Sequence, residues 1–248
     1  MTAVGGRESS ADGRLAYLEL SDAQALRECV RELRPEVIVH LGGIIPSRGA
    51  SESSRLRAVN VEATRILLEA ATSARMVFAS TAAVYGDQHD APVAEGHVGV
   101  PAPGYASSKR DAELALEELV AGREDLSAVV LRIFNVYGHG FDESLVNRLR
   151  AANSRHPVLL RGWSNFVRDY VHVADLVKII GRAIDIPGRY EIFNVGSGIE
   201  RSNAQLVREL SVPLGSIEVT SDMSSYSVAD VSKLRSSFGG LTRCGLAD

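Results

Sequence analysis

The chain of 248 residues is 45% hydrophobic and 23% charged, which excludes disorder, collagen-like repeats and low-complexity sequence and leaves enough apolar material for a sizeable core. Its net charge of −4 and its lack of a basic tract argue against a nucleic-acid partner, and its longest apolar stretches, such as residues 37–45, are far shorter than the roughly 20 residues needed to span a bilayer. Two cysteines, Cys29 and Cys244, form no CxxC, and six histidines form no HExxH, so no metal site is expected and a reducing, cytoplasmic setting fits best.

In chain order, the N-terminal residues carry no apolar segment of the kind a secretory signal needs. Ser21-Asp-Ala-Gln24 is a capping-box pattern, and Leu26, Val30 and Leu33 recur at helical spacing until Pro35 stops the run. Residues 36–41 form a short β-branched run closed by Gly42-Gly43 and read as a strand buried on both faces. The pattern repeats: residues 55–74 are expected to be helical, 76–80 a strand, 105–120 a helix, 128–134 a strand, 174–183 a helix and 190–195 a strand. No run rich in Pro, Gly and Ser divides the chain, so one continuous domain with a small attached lobe is expected.

Helices alternating with short apolar strands predict an α/β fold, a doubly wound parallel sheet covered on both faces, with ligands at the C-terminal strand ends. The strands at 76–80 and 128–134 are expected to be neighbours. Alternation weakens between Gly138 and Phe166 and again after Val195. Residues 1–138 with 167–195 are therefore assigned to the Rossmann-like core, and 139–166 with 196–248 to a substrate lobe.

Tyr105 and Lys109 sit four apart at the start of a helix, so both rise from one face. An ammonium beside a phenol favours the phenolate, which makes the pair a candidate proton-transfer device. On spacing alone, a solvated surface pair fits as well.

Four segments point further: Ala79-Ser-Thr-Ala-Ala-Val-Tyr-Gly86, Pro103-Gly-Tyr-Ala-Ser-Ser-Lys109, Leu131-Arg-Ile-Phe-Asn-Val-Tyr-Gly138 and Arg168-Asp-Tyr-Val-His-Val173. In this order they resemble the extended short-chain dehydrogenase/reductase family, and within it the nucleotide-sugar epimerases, dehydratases and ketoreductases. His40-Leu-Gly-Gly43, Asn60-Val61 and Phe193-Asn-Val-Gly-Ser-Gly198 extend the resemblance over nearly the whole chain. It implies that Tyr105 is the general acid/base, that Lys109 holds the nicotinamide ribose and depresses the Tyr105 pKa, and that Thr81 hydrogen-bonds the same sugar oxygen. It implies further that His40, Gly42, Gly43, Asn60 and Ser80 line an NAD or NADP cofactor. Ala82 and Ala83 would face a nucleotide-sugar substrate, and Asn135 and Arg168 would hold its diphosphate. By themselves Gly42-Gly43 also fits a tight turn, and Arg168-Asp169 a surface ion pair. Relatives dimerise through the helices at 55–74 and 105–120, which implies a homodimer; Leu114, Leu116 and Leu119 suit that interface and equally suit burial within one chain.

The sequence departs from the family at three places. Ala82 and Ala83 stand where the 4,6-dehydratases carry Asp and Glu, which disfavours dehydration and leaves epimerisation or ketone reduction. Thr220-Ser-Asp-Met223 lacks the Arg that often grips the nucleotide. Thr2-Ala-Val4 and Gly5-Gly-Arg7 resemble the second strand and its turn, with no GxxGxxG strand-turn-helix read before them, and Arg7 fits NADP or a solvated loop charge. The expectation is an N-terminally truncated core with weakened dinucleotide binding and residues 1–14 poorly anchored. The chain also stops at Gly245-Leu-Ala-Asp248, where relatives continue into a final helix. A weakly active or inactive sugar-nucleotide-binding member, or a partner subunit, is the alternative function.

Overall fold

The computed structural model describes residues 3–5, 15–45, 53–86, 89–97, 99–239 and 246. Expectations for Arg7, Cys244, the anchoring of residues 1–14 as a whole and the C-terminal stop fall on or include residues outside these. The first half of the chain forms β1 (Ala3–Gly5), β2 (Leu15–Tyr17), α1 (Ala23–Leu33), β3 (Val37–His40), α2 (Ser53–Leu56), a π-helical turn (Arg57–Glu62), α3 (Ala63–Glu69), β4 (Ala74–Thr81), a 3-10 turn (Ala82–Tyr85) and α4 (Tyr105–Gly122). Then come β5 (Leu126–Ile133), β6 (Asn135–Tyr137), α5 (Leu145–Ala151), β7 (Val158–Arg161), β8 (Phe166–Arg168), β9 (Tyr170–His172), α6 (Val173–Ala183) and β10 (Tyr190–Val195). The chain continues through β11 (Arg201–Ser202), α7 (Asn203–Glu209), a second 3-10 turn (Leu214–Ser216), β12 (Ile217–Ser221), β13 (Ser225–Ser227) and α8 (Ser232–Phe238). No described helix is long and apolar enough to cross a membrane.

The central sheet runs β10-β5-β4-β3, so the two strands expected to be neighbours are β5 and β4. Met76, Val77 and Phe78 of β4 and Ala128 to Leu131 of β5 are fully buried. Leu26 and Val30 of α1, Ile66 and Leu68 of α3 and Leu116 and Val120 of α4 pack with Met76, Phe78 and Val130 in one apolar cluster. Each such side chain contributes about 1.5–3 kcal/mol when removed from water. Helix α1 starts one residue later than the capping pattern suggests: Asp22, not Ser21, is the cap, its carboxylate accepting from the amides of Gln24 (3.1 Å) and Ala25 (3.0 Å).

Two expectations need correction. Strand β3 is an edge, parallel to β4 from Val37 opposite Arg75 to His40 opposite Phe78. Its Val37 and Val39 are 36% and 41% exposed rather than buried on both faces. An apolar run reports what a strand prefers to contact, and the number of its neighbours is set by topology. The helix expected over 55–74 ends at Glu69, yields Ala74 to β4 and is π-helical in its middle. The described residues form two compact units, one from Met1–Val84, Pro101–Leu131 and Ile184–Ile192, the other from Tyr85–Val100, Arg132–Ala183 and Phe193–Asp248.

The first unit holds α1, β3, β4 and α4, together with β1 and β2, which pair parallel from Ala3 opposite Leu15 to Gly5 opposite Tyr17. The second holds β6, β9 and α6, which the sequence reading gave to the core. The Tyr85 hydroxyl donates to Asn194 Oδ1 (2.7 Å) and accepts from Arg132 (2.9 Å), while Asn194 donates its amide N–H to Glu95 (2.8 Å). Within the second unit, β8 lies between β11 and β13, β6 pairs with β9, and β7 pairs with β12.

The edge position of β3 gives a direct test by chemical denaturation. Val39→Thr should change stability by less than about 0.5 kcal/mol, as at an ordinary surface site. Met76→Ala, in the fully buried neighbouring strand, should cost about 2–5 kcal/mol.

Candidate active site

Helix α4 places the first group. Gly104 precedes it at φ +97, a left-handed conformation that costs glycine little, and its amide donates to Ser107 Oγ at 3.1 Å. Tyr105 is thereby the first residue of the helix. Its hydroxyl is hydrogen-bonded with the side chain of Thr81, the last residue of β4. Burial pushes the Tyr105 phenol up, and the Thr81 bond pulls it part of the way back. The expected depression by Lys109 is not what this structure gives: the net shift is upward, and the ammonium is turned to the Ala79 carbonyl at 2.9 Å.

Lys109 is itself buried, with Nζ 4.6 Å from the centre of the Phe78 ring. Desolvation brings its pKa down to about 8, against the opposing pull of Glu113. His40, stacked on the other partner of this group, Phe78, is held near pKa 3 by burial and by the Lys109 charge. It is therefore neutral. The Thr64 hydroxyl donates its one proton to the Asn60 carbonyl (2.8 Å), so it accepts from His40 Nε2 (3.1 Å), and the imidazole proton belongs on Nε2. His40 thus supports the site from below the surface, with 5% exposure.

Asn60 sits in the π-helical turn and is wholly buried; such turns are frequent at functional sites. Its side chain accepts from the Ile44 amide (2.8 Å) and donates to the Ile44 carbonyl and the Ser108 hydroxyl (3.0 Å each). These bonds pin the loop after β3 to α4. A Cβ on Gly43 in that loop would stand 3.2 Å from both Asn60 Oδ1 and Lys109 Nζ, so bare backbone is required there; one on Gly42 would meet His40 at 3.2 Å. Ala82 is buried and Ala83 exposed in the 3-10 turn, the Ala83 amide donating to Thr81 Oγ1 at 3.2 Å. His40, Gly42, Gly43, Asn60, Ser80, Thr81, Ala82, Ala83, Tyr105 and Lys109 all belong to the first unit.

Asn135 and Arg168 belong to the second. The Asn135 amide group donates to the Asp169 carbonyl at 2.8 Å, and Arg168 lies over the Phe166 ring at 3.9 Å while donating to the Val167 carbonyl and Ser225 hydroxyl (2.8 Å each). Next to Arg168 is Asp169, which is fully buried and so is not half of the surface ion pair that was the alternative reading of Arg168-Asp169. Its carboxylate accepts from Ser197 N (2.7 Å), Ser197 Oγ (2.6 Å), Gly198 N (2.9 Å) and Ala229 N (3.2 Å). An open cavity of about 550 Å³ in the same unit is lined by Gly138, His139, Asp142, Asn147, Arg150, Ala151 and His172, none of them a residue expected at the site.

A model of the NAD dependent epimerase/dehydratase family matches residues 2–196. The chain belongs to that family. Its structure is similar to that of MoeE5 in complex with UDP-glucuronic acid and NAD, at 27% identity and a TM-score of 0.83 over 99% of this chain and 86% of the other. It is also similar to a putative epimerase from Burkholderia cenocepacia, at 29% identity and a TM-score of 0.81 over 99% and 84%. Among curated relatives it is 27% identical to a probable UDP-arabinose 4-epimerase of Oryza sativa over 79% of this chain and 55% of that protein. It is likewise 27% identical to the UDP-glucose 4-epimerase of Neisseria gonorrhoeae, over 79% and 66%. The aligned parts thus span less than two thirds of these two relatives' length. The doubly wound, Rossmann-like α/β fold expected from the strand-helix alternation is the fold these neighbours share.

Sequence reasoning missed two residues of this family member. Glu113 continues the Tyr105, Lys109 spacing by four and is a charge on the apolar face that also carries Ala112 and Leu116, a signal that was available. Asp169 gave no signal, since its four donors come from residues 28 to 60 positions away. Asp169→Ala should leave three buried amides unpaired and lower stability by about 3 kcal/mol or more, read from the shift in denaturation midpoint.

Proposed function

We propose that this family member epimerises or reduces a sugar carried on a nucleoside diphosphate, using NAD or NADP, with Tyr105 as the group that moves the proton. The observation that carries this reading is the hydrogen-bonded Tyr105–Thr81 pair, with the buried Lys109 one helical turn further along α4. Lys109, Asn60 and the bare backbone of Gly43 suit the ribose end of a nicotinamide dinucleotide, since a Cβ at Gly43 would crowd both side chains. His40, Gly42 and Ser80 complete that set. Accepting and returning a hydride is the chemistry such a dinucleotide supplies when bound.

The residues of this chain supply the rest. Tyr105 takes the proton of the sugar hydroxyl as that carbon is oxidised and gives it back on reduction, so the phenol acts as base and then as acid at one oxygen. Thr81 hydrogen-bonds the same oxygen and fixes its distance from the phenol. Ala82 and Ala83 offer methyl groups where elimination of water would need an acid and a base, which supports epimerisation or ketone reduction over dehydration. In the second unit, the guanidinium of Arg168 and the amide of Asn135 are the proposed partners of the diphosphate.

A homodimer is proposed through α3 and α4. Of the three leucines that suggested it, Leu114 is 46% exposed on α4 and supports the proposal, whereas Leu116 is fully buried within its own unit. Leu114→Lys should shift sedimentation toward monomer at micromolar protein, and a wild-type monomer at that concentration would refute the dimer.

Incubating the purified chain with UDP-glucose or UDP-glucuronic acid and NAD, and following the C4 epimer by proton NMR, tests the activity. Epimer formation is expected, and Tyr105→Phe should reduce it by about 10²-fold or more. Binding of the nucleotide sugar with no turnover in wild type would instead favour a non-catalytic binder.

A further inference from the structure

Glu113 is a buried charge to which the proton transfer above gives no task. Its side chain is wholly buried on α4, four residues beyond Lys109 and eight beyond Tyr105, so the three share one helix face. A buried carboxylate is costly unless its oxygens are paired. Ser80 donates its hydroxyl to one oxygen, and Arg110 donates to the other at 2.9 Å. The backbone carbonyl of Glu113 also accepts from the Tyr190 hydroxyl at 2.9 Å, which fixes this turn of the helix. Ser80 lies between Ala79, whose carbonyl accepts from Lys109 Nζ, and Thr81, the partner of Tyr105. Glu113 and Lys109 therefore hold two adjacent residues at the end of β4, Ser80 and Ala79.

We infer that Glu113 is a positioning residue of this site, anchoring the end of β4 through Ser80 and standing as the buried counter-charge that holds the Lys109 ammonium on the face it shares with Tyr105. The inference rests on the reading of Tyr105 and Lys109 given above and adds a residue to it. Tyr105, Arg110 and Glu113 share the helix of Lys109, and His40 of β3 lies within reach of its charge. His40 is neutral, and the two Glu113 oxygens already bond Ser80 and Arg110, so Glu113 acts on the ammonium through space, opposing its desolvation.

The chain has three lysines, Lys109, Lys178 and Lys233, so each can be followed separately by NMR of the full-length protein labelled in its lysine side chains. Wild-type Lys109 should titrate near pH 8. Glu113→Gln should move that midpoint down by about one unit or more, the usual effect of losing an adjacent opposite charge. Glu113→Asp, which keeps the charge, should restore most of the shift. A merely structural role predicts the opposite sign, because a loosened site hydrates the ammonium and returns it toward its ordinary 10.5. An unchanged or raised midpoint in Glu113→Gln overturns the inference. Should that variant not fold, the wild-type carboxyl carbon of Glu113 decides: a step in its shift at the Lys109 midpoint supports the pairing, and a flat trace across it refutes the pairing. No substrate enters these measurements, so absence of turnover in wild type would sink the proposed activity and leave this result standing.

Discussion

An ammonium group buried against a sheet must be compensated on every side, and that requirement organises the first unit. Lys109 loses its hydration to Phe78 and the loop after β3, and burial, opposed by the Glu113 charge, draws its pKa from 10.5 to about 8. What keeps a charge there is a carbonyl at the end of β4, the face of Phe78 and the carboxylate of Glu113. Each has a structural price: β4 must end at Thr81, α4 must begin at Tyr105 for its face to meet that end, and Gly43 must lack a side chain. The neutrality of His40 follows from the same field, since a second cation beside Lys109 would be uncompensated.

The second unit solves the opposite problem with different means. Asp169 is an anion in its interior, and no cation pairs with its carboxylate in the bonds the structure shows. Backbone amides and one hydroxyl do the work, in bonds of 2.6–3.2 Å. Donors from two chain segments converge on the two oxygens of Asp169, so the end of β8, the turn after β10 and the residues after β13 are fixed together. Burial still pushes the carboxyl up against these bonds, which means that the solvation they provide falls short of water's. A carboxylate held in this way fixes backbone geometry more than it adds stability, and the backbone it fixes is the one that carries Asn135 and Arg168.

What was legible in the sequence follows from the range of the forces involved. Tyr190–Val195 and the buried part of β4 were placed from apolar runs, because burial on two sides selects continuous hydrophobic residues. Tyr105, Lys109 and Thr81 were found because a helix start and a strand end are local features. Strand β3 reads like a buried strand and lies at an edge, a difference that no residue in it records. The π-helical turn was invisible for a similar reason: it is the conformation that lets Asn60 reach Ile44 and Ser108, 16 and 48 positions away. Tyr85, Arg132 and Asn194 look like parts of three separate family motifs and in the fold belong to one hydrogen-bonded set, which no local pattern records.

In the proposed mechanism Tyr105 serves as a base although burial raises its phenol, and the order of charges along α4 bears on that role. Tyr105 occupies the first turn, where the unpaired amides of the helix give a positive end. Lys109 stands one turn further, about 6 Å along the axis at 1.5 Å per residue, and Glu113 another 6 Å beyond it. The order along the axis is thus phenol, cation, anion. Because Coulomb energy falls with distance, the nearer cation outweighs the anion at the phenol, and the net field of the pair favours the phenolate. Reversing Lys109 and Glu113 would keep the same two charges and put the anion beside Tyr105. The Thr81 bond acts on the same side, against the burial that raises the phenol. Glu113 therefore serves the cation without cancelling it at the place where the proton moves, which depends on its being four residues beyond Lys109 and not four before.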